Sequence, residues 1–177
     1  FEPSQKNWAT AYNWPAYKHG DVIKDTIQLL SGYQLQAYFF NTRRELFKDP
    51  VLREALAYAF DFTWMNKNFF SDGMVRTESY FGFPNTDLAA SGLPSKDELA
   101  LLEPYRSQVP ARVFTQAFHL PDTDGSDASL RKNLSTAMQM LLKAGYKQQG
   151  GKLISPRTGQ PVDFEVMMAD PTYQLPT

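Results

Sequence analysis

The segment 127–144 constrains the fold more than any other part of the chain. Leu130, Leu134, Ala137, Met138, Leu141 and Leu142 recur at helical spacing, so one face of a long helix is apolar. Gly145 follows as a residue that can take the left-handed conformation ending a helix. A second apolar stripe, Leu52, Ala55, Leu56, Ala59 and Phe60, stands behind Asp49-Pro50. There Asp49 can accept a backbone N–H, and Pro50 sits where a missing N–H costs nothing. Asp61 can cap a further short helix to Phe70 with Gly73 at its exit, and Ser95-Lys96-Asp97-Glu98 is a capping box for a helix that stops near Pro104.

The remaining segments are less periodic. Ser4 is a plausible cap for a helix over 4–13 that sets Trp8 and Tyr12 on one face, and Pro15 and Gly20 then predict a loop. Segments 21–28 and 33–41 are predicted strands. In the second, Tyr33, Leu35, Ala37 and Phe39 form a dry face, opposite Gln34, Gln36, Tyr38 and Phe40. Residues 73–94 predict an ordered, aromatic loop, and 119–127 the most linker-like stretch. A β-hairpin is expected from Lys152–Ile154 and 162–168 around a turn at 155–160. The expected fold class is α/β in the mixed, α+β sense.

Composition excludes several functions. With 18 Lys+Arg against 19 Asp+Glu the net charge is -1, which argues against a nucleic-acid partner that needs a basic excess. A 42% hydrophobic and 14% aromatic content supports a packed core rather than disorder. No apolar run reaches the roughly 18 residues of a membrane span, so the chain is not expected to be membrane-spanning. The absence of cysteine removes disulfides, thiol catalysis and Cys-based metal sites. The abrupt start at Phe1, with no leader, leads us to expect a piece of a longer chain.

Catalytic signatures are missing. His19 and His119 have no ligand-spaced partner, and neither a G-x-S-x-G elbow nor a phosphate-cradling glycine pattern occurs. No metal, cofactor or catalytic residue is expected. Asp122, Asp124 and Asp127 around Gly125 resemble a calcium loop but lack its twelfth-position Glu, so capping and turn duty explains them better. Asp163 and Glu165 read as the solvated face of a strand, and the glycosylation pattern at Asn133 falls inside a helix. What remains suits recognition: Gln34, Gln36 and Tyr38 on one strand face, with Trp64, Asn66 and Asn68 in the helix after Asp61. Amides with Tyr and Trp offer hydrogen bonds and flat contact area without selecting a charge. The alternative is that Trp64 belongs to the core and the glutamines merely face solvent.

The series Phe40-Asn41-Thr42-Arg43-Arg44, Phe47-Lys48-Asp49-Pro50-Val51-Leu52-Arg53-Glu54-Ala55-Leu56 and Ala59-Phe60-Asp61 resembles a strand-then-helix signature of the family 5 extracellular solute-binding proteins of ABC importers. Leu141-Leu142-Lys143-Ala144-Gly145-Tyr146, then Gly151, Gly159 and 162–168, resembles a later element of the same family. Lys6-Asn7-Trp8-Ala9-Thr10-Ala11-Tyr12, Asn66-Lys67-Asn68, Ser79-Tyr80-Phe81 and Gly92-Leu93-Pro94 are similar to the branch that imports oligopeptides and peptide antibiotics of the microcin C type.

This resemblance implies a two-lobed periplasmic-binding-protein-like fold. Residues 1–24 would end lobe I, and 25–177 would hold the crossover strands and part of the second lobe. It implies a non-enzymatic periplasmic protein with two partners, an oligopeptide ligand and an inner-membrane ABC permease. The strand 34–40 would border the cleft, giving Gln36 and Tyr38 as ligand-binding residues, with Gln34 and Trp64 beside them; Asp49, Arg53 and Asp61 are assigned to the fold. Rival readings are the same family with a metal chelate, opine or sugar as solute, a secreted hydrolase domain, or a peptide-holding chaperone.

Overall fold

The computed structural model describes residues 5–25, 27, 37–81 and 89–168. In chain order the helices are α1 (Gln5–Thr10), α2 (Pro15–His19), α3 (Glu45–Lys48), α4 (Pro50–Tyr58), α5 (Phe62–Phe70), α6 (Lys96–Leu102), α7 (Arg112–Thr115) and α8 (Asp127–Lys143). A 3-10 turn at Glu103–Tyr105 follows α6, and two strands, β1 (Lys147–Gln149) and β2 (Lys152–Ile154), close the order. Among the described residues the fold is mixed α+β, largely helical with one small sheet.

The two striped helices pack on each other. Leu52 and Ala55 of α4 meet Ala137 and Leu141 of α8, and Phe47 and Tyr146 complete the buried cluster. Alanine on both sides removes bulk between the backbones, and Leu52, 1% exposed, fills the space that remains. The predicted α8 stripe is wider than the buried one. Leu134 and Leu142 are 44% and 48% exposed, because the contact with α4 covers only the Ala137–Leu141 side.

The end of α8 builds the rest of the core. Gly145, at φ 92, lets the Gly145 N–H donate to the Leu142 carbonyl and the Tyr146 N–H to the Leu141 carbonyl, both at 3.0 Å. That pair of bonds is a Schellman motif, and it turns Tyr146 back under Leu141. Buried there, the Tyr146 hydroxyl donates to Asp49 Oδ2 at 2.6 Å, while Asp49 Oδ1 accepts the Val51 N–H at 2.9 Å and caps α4. One carboxylate thus joins the exit of α8 to the start of α4. Burial first, then the bond to Asp49, pushes the Tyr146 phenol up to about 12.

Several expectations are corrected. Pro15 starts α2 rather than ending order, since proline at the first helical position is as compatible with a start as with a break. The hairpin joins β1 to β2, with Lys147 opposite Ile154 and Gln149 opposite Lys152. Gly150 and Gly151 both have positive φ, as a two-residue primed turn requires. The expected partner of β2 contributes only an Ile154–Pro161 bridge and a Val162 N–H to Leu153 carbonyl bond of 2.7 Å; residues 163–168 join no ladder. Residues 37–41 of the second predicted strand are also unpaired, because alternation orients side chains but supplies no partner strand. Its face assignment reverses there: Phe40 packs on Phe47 at 5.2 Å and Phe39 is exposed. The described part of 21–28 is likewise not strand, and Gln34 and Gln36 lie outside the described residues.

Candidate functional site

The α4–α5 junction collects the aromatic residues singled out in the sequence. Asp61 caps α5, its Oδ1 accepting the Trp64 N–H at 2.9 Å and the Thr123 hydroxyl. Just before it, Phe60 receives the ring of Tyr38 edge-on, at 6.0 Å and 78°. The Arg76 guanidinium lies over Phe60 and Phe62, 5.9 and 5.7 Å from their centroids. Trp64 stands one turn into α5 with its ring edge-to-face on Phe69 at 5.5 Å. Tyr38 and Trp64 are 44% and 45% exposed, so each presents part of a ring to solvent while its other part is held by a second ring. Trp64 is therefore not a core residue.

The amides grouped with Trp64 serve the fold instead. Asn66 is buried and exchanges two hydrogen bonds with the backbone of Met74, both 2.9 Å, and Asn68 Nδ2 donates to the Trp64 carbonyl at 2.8 Å. A backbone-mimicking amide at position 66 holds the exit of α5, where Ser71 and Asp72 take positive φ.

Segment 119–127 is not a linker in the folded chain. Arg76 Nη1 donates to the Pro121 carbonyl at 2.6 Å and to Asp122 Oδ1 at 3.2 Å, and the Thr63 hydroxyl donates to the same Oδ1 at 3.1 Å. Asn133 Nδ2 of α8 donates to the Asp122 carbonyl at 3.0 Å. Glu78 accepts the Leu120 N–H at 2.9 Å and pairs with His119 Nδ1 at 3.1 Å. Gly125, at φ 79, sits where an added Cβ would lie 3.4 Å from Thr63 Cγ2 and 3.8 Å from the Trp64 nitrogen. Of the three aspartates read as caps and turn residues, Asp124 does turn duty, accepting the Ser126 N–H at 2.8 Å; Ser126 caps α8 instead, and Asp122 ties distant segments through Arg76 and Thr63. Arg76, Thr63 and Glu78 escaped sequence reasoning because their partners are 41 or more residues away, and nothing local marks them.

Charge sets how firmly this segment is held. The Leu120 N–H, and then His119, lower the Glu78 carboxyl below its ordinary value. Hydrogen bonds from Ser126 and Ser129 lower Asp124 from 3.8 to about 2. A lowered carboxyl contributes stability above its unfolded-state value and loses it as pH falls through its folded-state value. The Ser126 turn should therefore persist through mild acid and open between 3.8 and about 2. In an NMR titration the Ser126 amide shift should have its midpoint near the lower figure; a midpoint at the ordinary value would remove the asserted bonds.

Among the described residues no three His, Asp or Glu side chains gather as a metal site, and no helix is long and apolar enough to cross a membrane. Residues 2–174 match the family described as bacterial extracellular solute-binding proteins, family 5 Middle. YejA of Escherichia coli (strain K12) is 39% identical over 167 residues, covering 94% of this chain and 27% of that protein. Two Agrobacterium fabrum (strain C58 / ATCC 33970) proteins are each 38% identical over 169 residues. They are the probable peptide-binding protein YejA, with 94% of this chain covered, and the peptidoglycan-binding protein YepA, with 95%; the match spans 27% of each. The chain thus spans about a quarter of the length of these relatives. A family model matched from residue 2 to residue 174, over the helices, core and junction just described, makes this chain a member of the bacterial extracellular solute-binding proteins, family 5.

Proposed function

We propose that the chain is part of the solute-binding component of an ABC importer, which holds its ligand in a cleft between two lobes and delivers it to an inner-membrane permease. In this reading residues 1–24 end the first lobe and 25–177 supply the crossover strands and part of the second. The protein acts in the periplasm as a binder, not an enzyme. Its ligands are oligopeptides, including peptide antibiotics of the microcin C type. Family membership over 2–174 carries the reading. The name of the Agrobacterium relative, a probable peptide-binding protein, supports the solute class.

Tyr38 and Trp64 supply the described part of the ligand surface in this proposal, and Gln34 and Gln36 the part outside it. Each exposed ring rests on a neighbour, Phe60 or Phe69, so little side-chain freedom remains to be lost on binding. Each offers a flat face and one donor, the Tyr hydroxyl or the Trp indole N–H. Such contacts tolerate variable side chains along a common peptide backbone. A second reading, a peptide derived from peptidoglycan, draws on the name of the YepA relative.

Native mass spectrometry of the intact protein, purified without refolding, tests both. A set of short peptides supports the first reading, muropeptides the second, and a single metal chelate or sugar overturns both. With a ligand in hand, Tyr38→Ala and Trp64→Ala should each weaken binding about tenfold, the ~1.4 kcal/mol of a moderate contact residue. Lys152→Ala, on β2, should change nothing. Unchanged affinity in the two aromatic variants would remove both residues from the site.

A further inference from the structure

The N-terminal helices, of which α1 contacts α5, hold a second constellation built from other residues. Trp8 of α1 and Tyr12 just beyond it stand four residues apart, and their rings meet edge to face at 5.7 Å and 66°. Tyr12 also contacts Tyr17 of α2 at 6.4 Å and Trp14 at 5.1 Å. Gly20, at φ 84, ends α2, and the Asp21 and Val22 N–H groups both donate to the Ala16 carbonyl. These bonds fold the chain back along α2. As a result Lys24 Nζ lies 5.0, 5.1 and 5.6 Å from the ring centroids of Trp8, Tyr12 and Tyr17.

Three ring faces converging on one ammonium is an arrangement selected by charge. Packing alone would be met by any apolar side chain, whereas the negative faces of aromatic rings favour a cation. Trp8, Tyr12, Tyr17 and Lys24 are all only half-buried, so the cage is reachable from solvent. Its occupant is a long, flexible side chain on a segment, 21–25, that belongs to no helix or strand. We propose that Trp8, Tyr12 and Tyr17 form an alkylammonium-binding site, with Lys24 as its tethered resting occupant, which an external alkylammonium group displaces. The site does not depend on the peptide reading above.

A tethered occupant competes at an effective concentration in the millimolar range, so removing it should raise affinity for an external ammonium by about tenfold or more. The test uses the intact protein with choline as the probe and its neutral carbon isostere, 3,3-dimethylbutan-1-ol, as the control. Saturation-transfer NMR reads both. Lys24→Ala should bind choline saturably, at least about tenfold tighter than wild type. It should not bind the neutral isostere, and Tyr12→Leu in the same background should abolish binding. In wild type the ring-shifted Lys24 ε-methylene resonance should move toward its free-chain position as choline is added, which tests displacement with no substitution at all. Equal binding of the neutral isostere, equal affinity with and without Lys24, or an unmoved Lys24 resonance at saturating choline would each overturn the proposal.

Discussion

Replacing Leu52 by alanine should lower folding stability by about 2–5 kcal/mol, the range for a leucine truncated in a tight core. Leu52 is 1% exposed, at the contact between α4 and α8. Its neighbours in the buried cluster include Ala55 and Ala137, which have no side-chain reach with which to fill a vacated volume. The void therefore stays open, which places the expected loss in the upper part of the range. Against a typical total of about 5–15 kcal/mol, such a loss leaves the α4–α8 pair marginal. Leu134→Ala is the control. The same side chain is removed from the predicted stripe of the facing helix, α8, but Leu134 is 44% exposed, and the expected loss is below ~1 kcal/mol. Urea unfolding of the intact protein should shift the Leu52→Ala midpoint strongly, with an unchanged slope. Equal shifts for the two variants would mean that the buried face of α8 is misassigned.

That contrast marks where the sequence was legible. Helix starts at Asp49-Pro50, Asp61 and Ser95 and the exit at Gly145 rest on signals within a few residues, and each forms with the expected cap bonds. The width of a buried stripe depends on the partner, so Leu130 to Leu142 read as one face although only its Ala137–Leu141 side is covered. Turn signals compete here: the longer 155–160 turn brings Pro161 and Val162 against β2 through a single bridge, whereas the two adjacent positive-φ glycines, Gly150 and Gly151, make the tighter hairpin with a ladder. Alternation in 33–41 predicts a strand, yet its described part, 37–41, forms none; Phe40 packs on Phe47, while Tyr38 rests on Phe60 and stays 44% exposed. The candidate site was legible as residue types only. The supports of Tyr38 and Trp64, and the Arg76–Asp122 tie beside them, come from contacts that no local pattern encodes.

Asp49→Ala is the other change expected to act strongly, at about 2–4 kcal/mol. Losing the α4 cap accounts for about 1 kcal/mol. A further ~1–3 kcal/mol comes from leaving the buried Tyr146 hydroxyl without its acceptor. Asp49→Asn should recover most of the loss, since its Oδ1 still caps α4 and a tyrosine hydroxyl can accept from the amide. Tyr146→Phe alone should cost less, about 0.5–1.5 kcal/mol, because half-buried Asp49 keeps its bond to Val51 and can reach water. The double variant Asp49→Ala/Tyr146→Phe should then be more stable than the sum of its parts predicts, by ~1–2 kcal/mol. Alkaline pH gives a second readout with a definite sign. The phenol is raised from 10.0 to about 12, so its contribution is complete below the first value and is lost as pH rises through the second. Wild type should therefore weaken relative to Tyr146→Phe across that interval. If the two profiles run parallel and the single effects simply add, the Schellman turn at Gly145 and the cap of α4 are neighbours rather than an energetic unit.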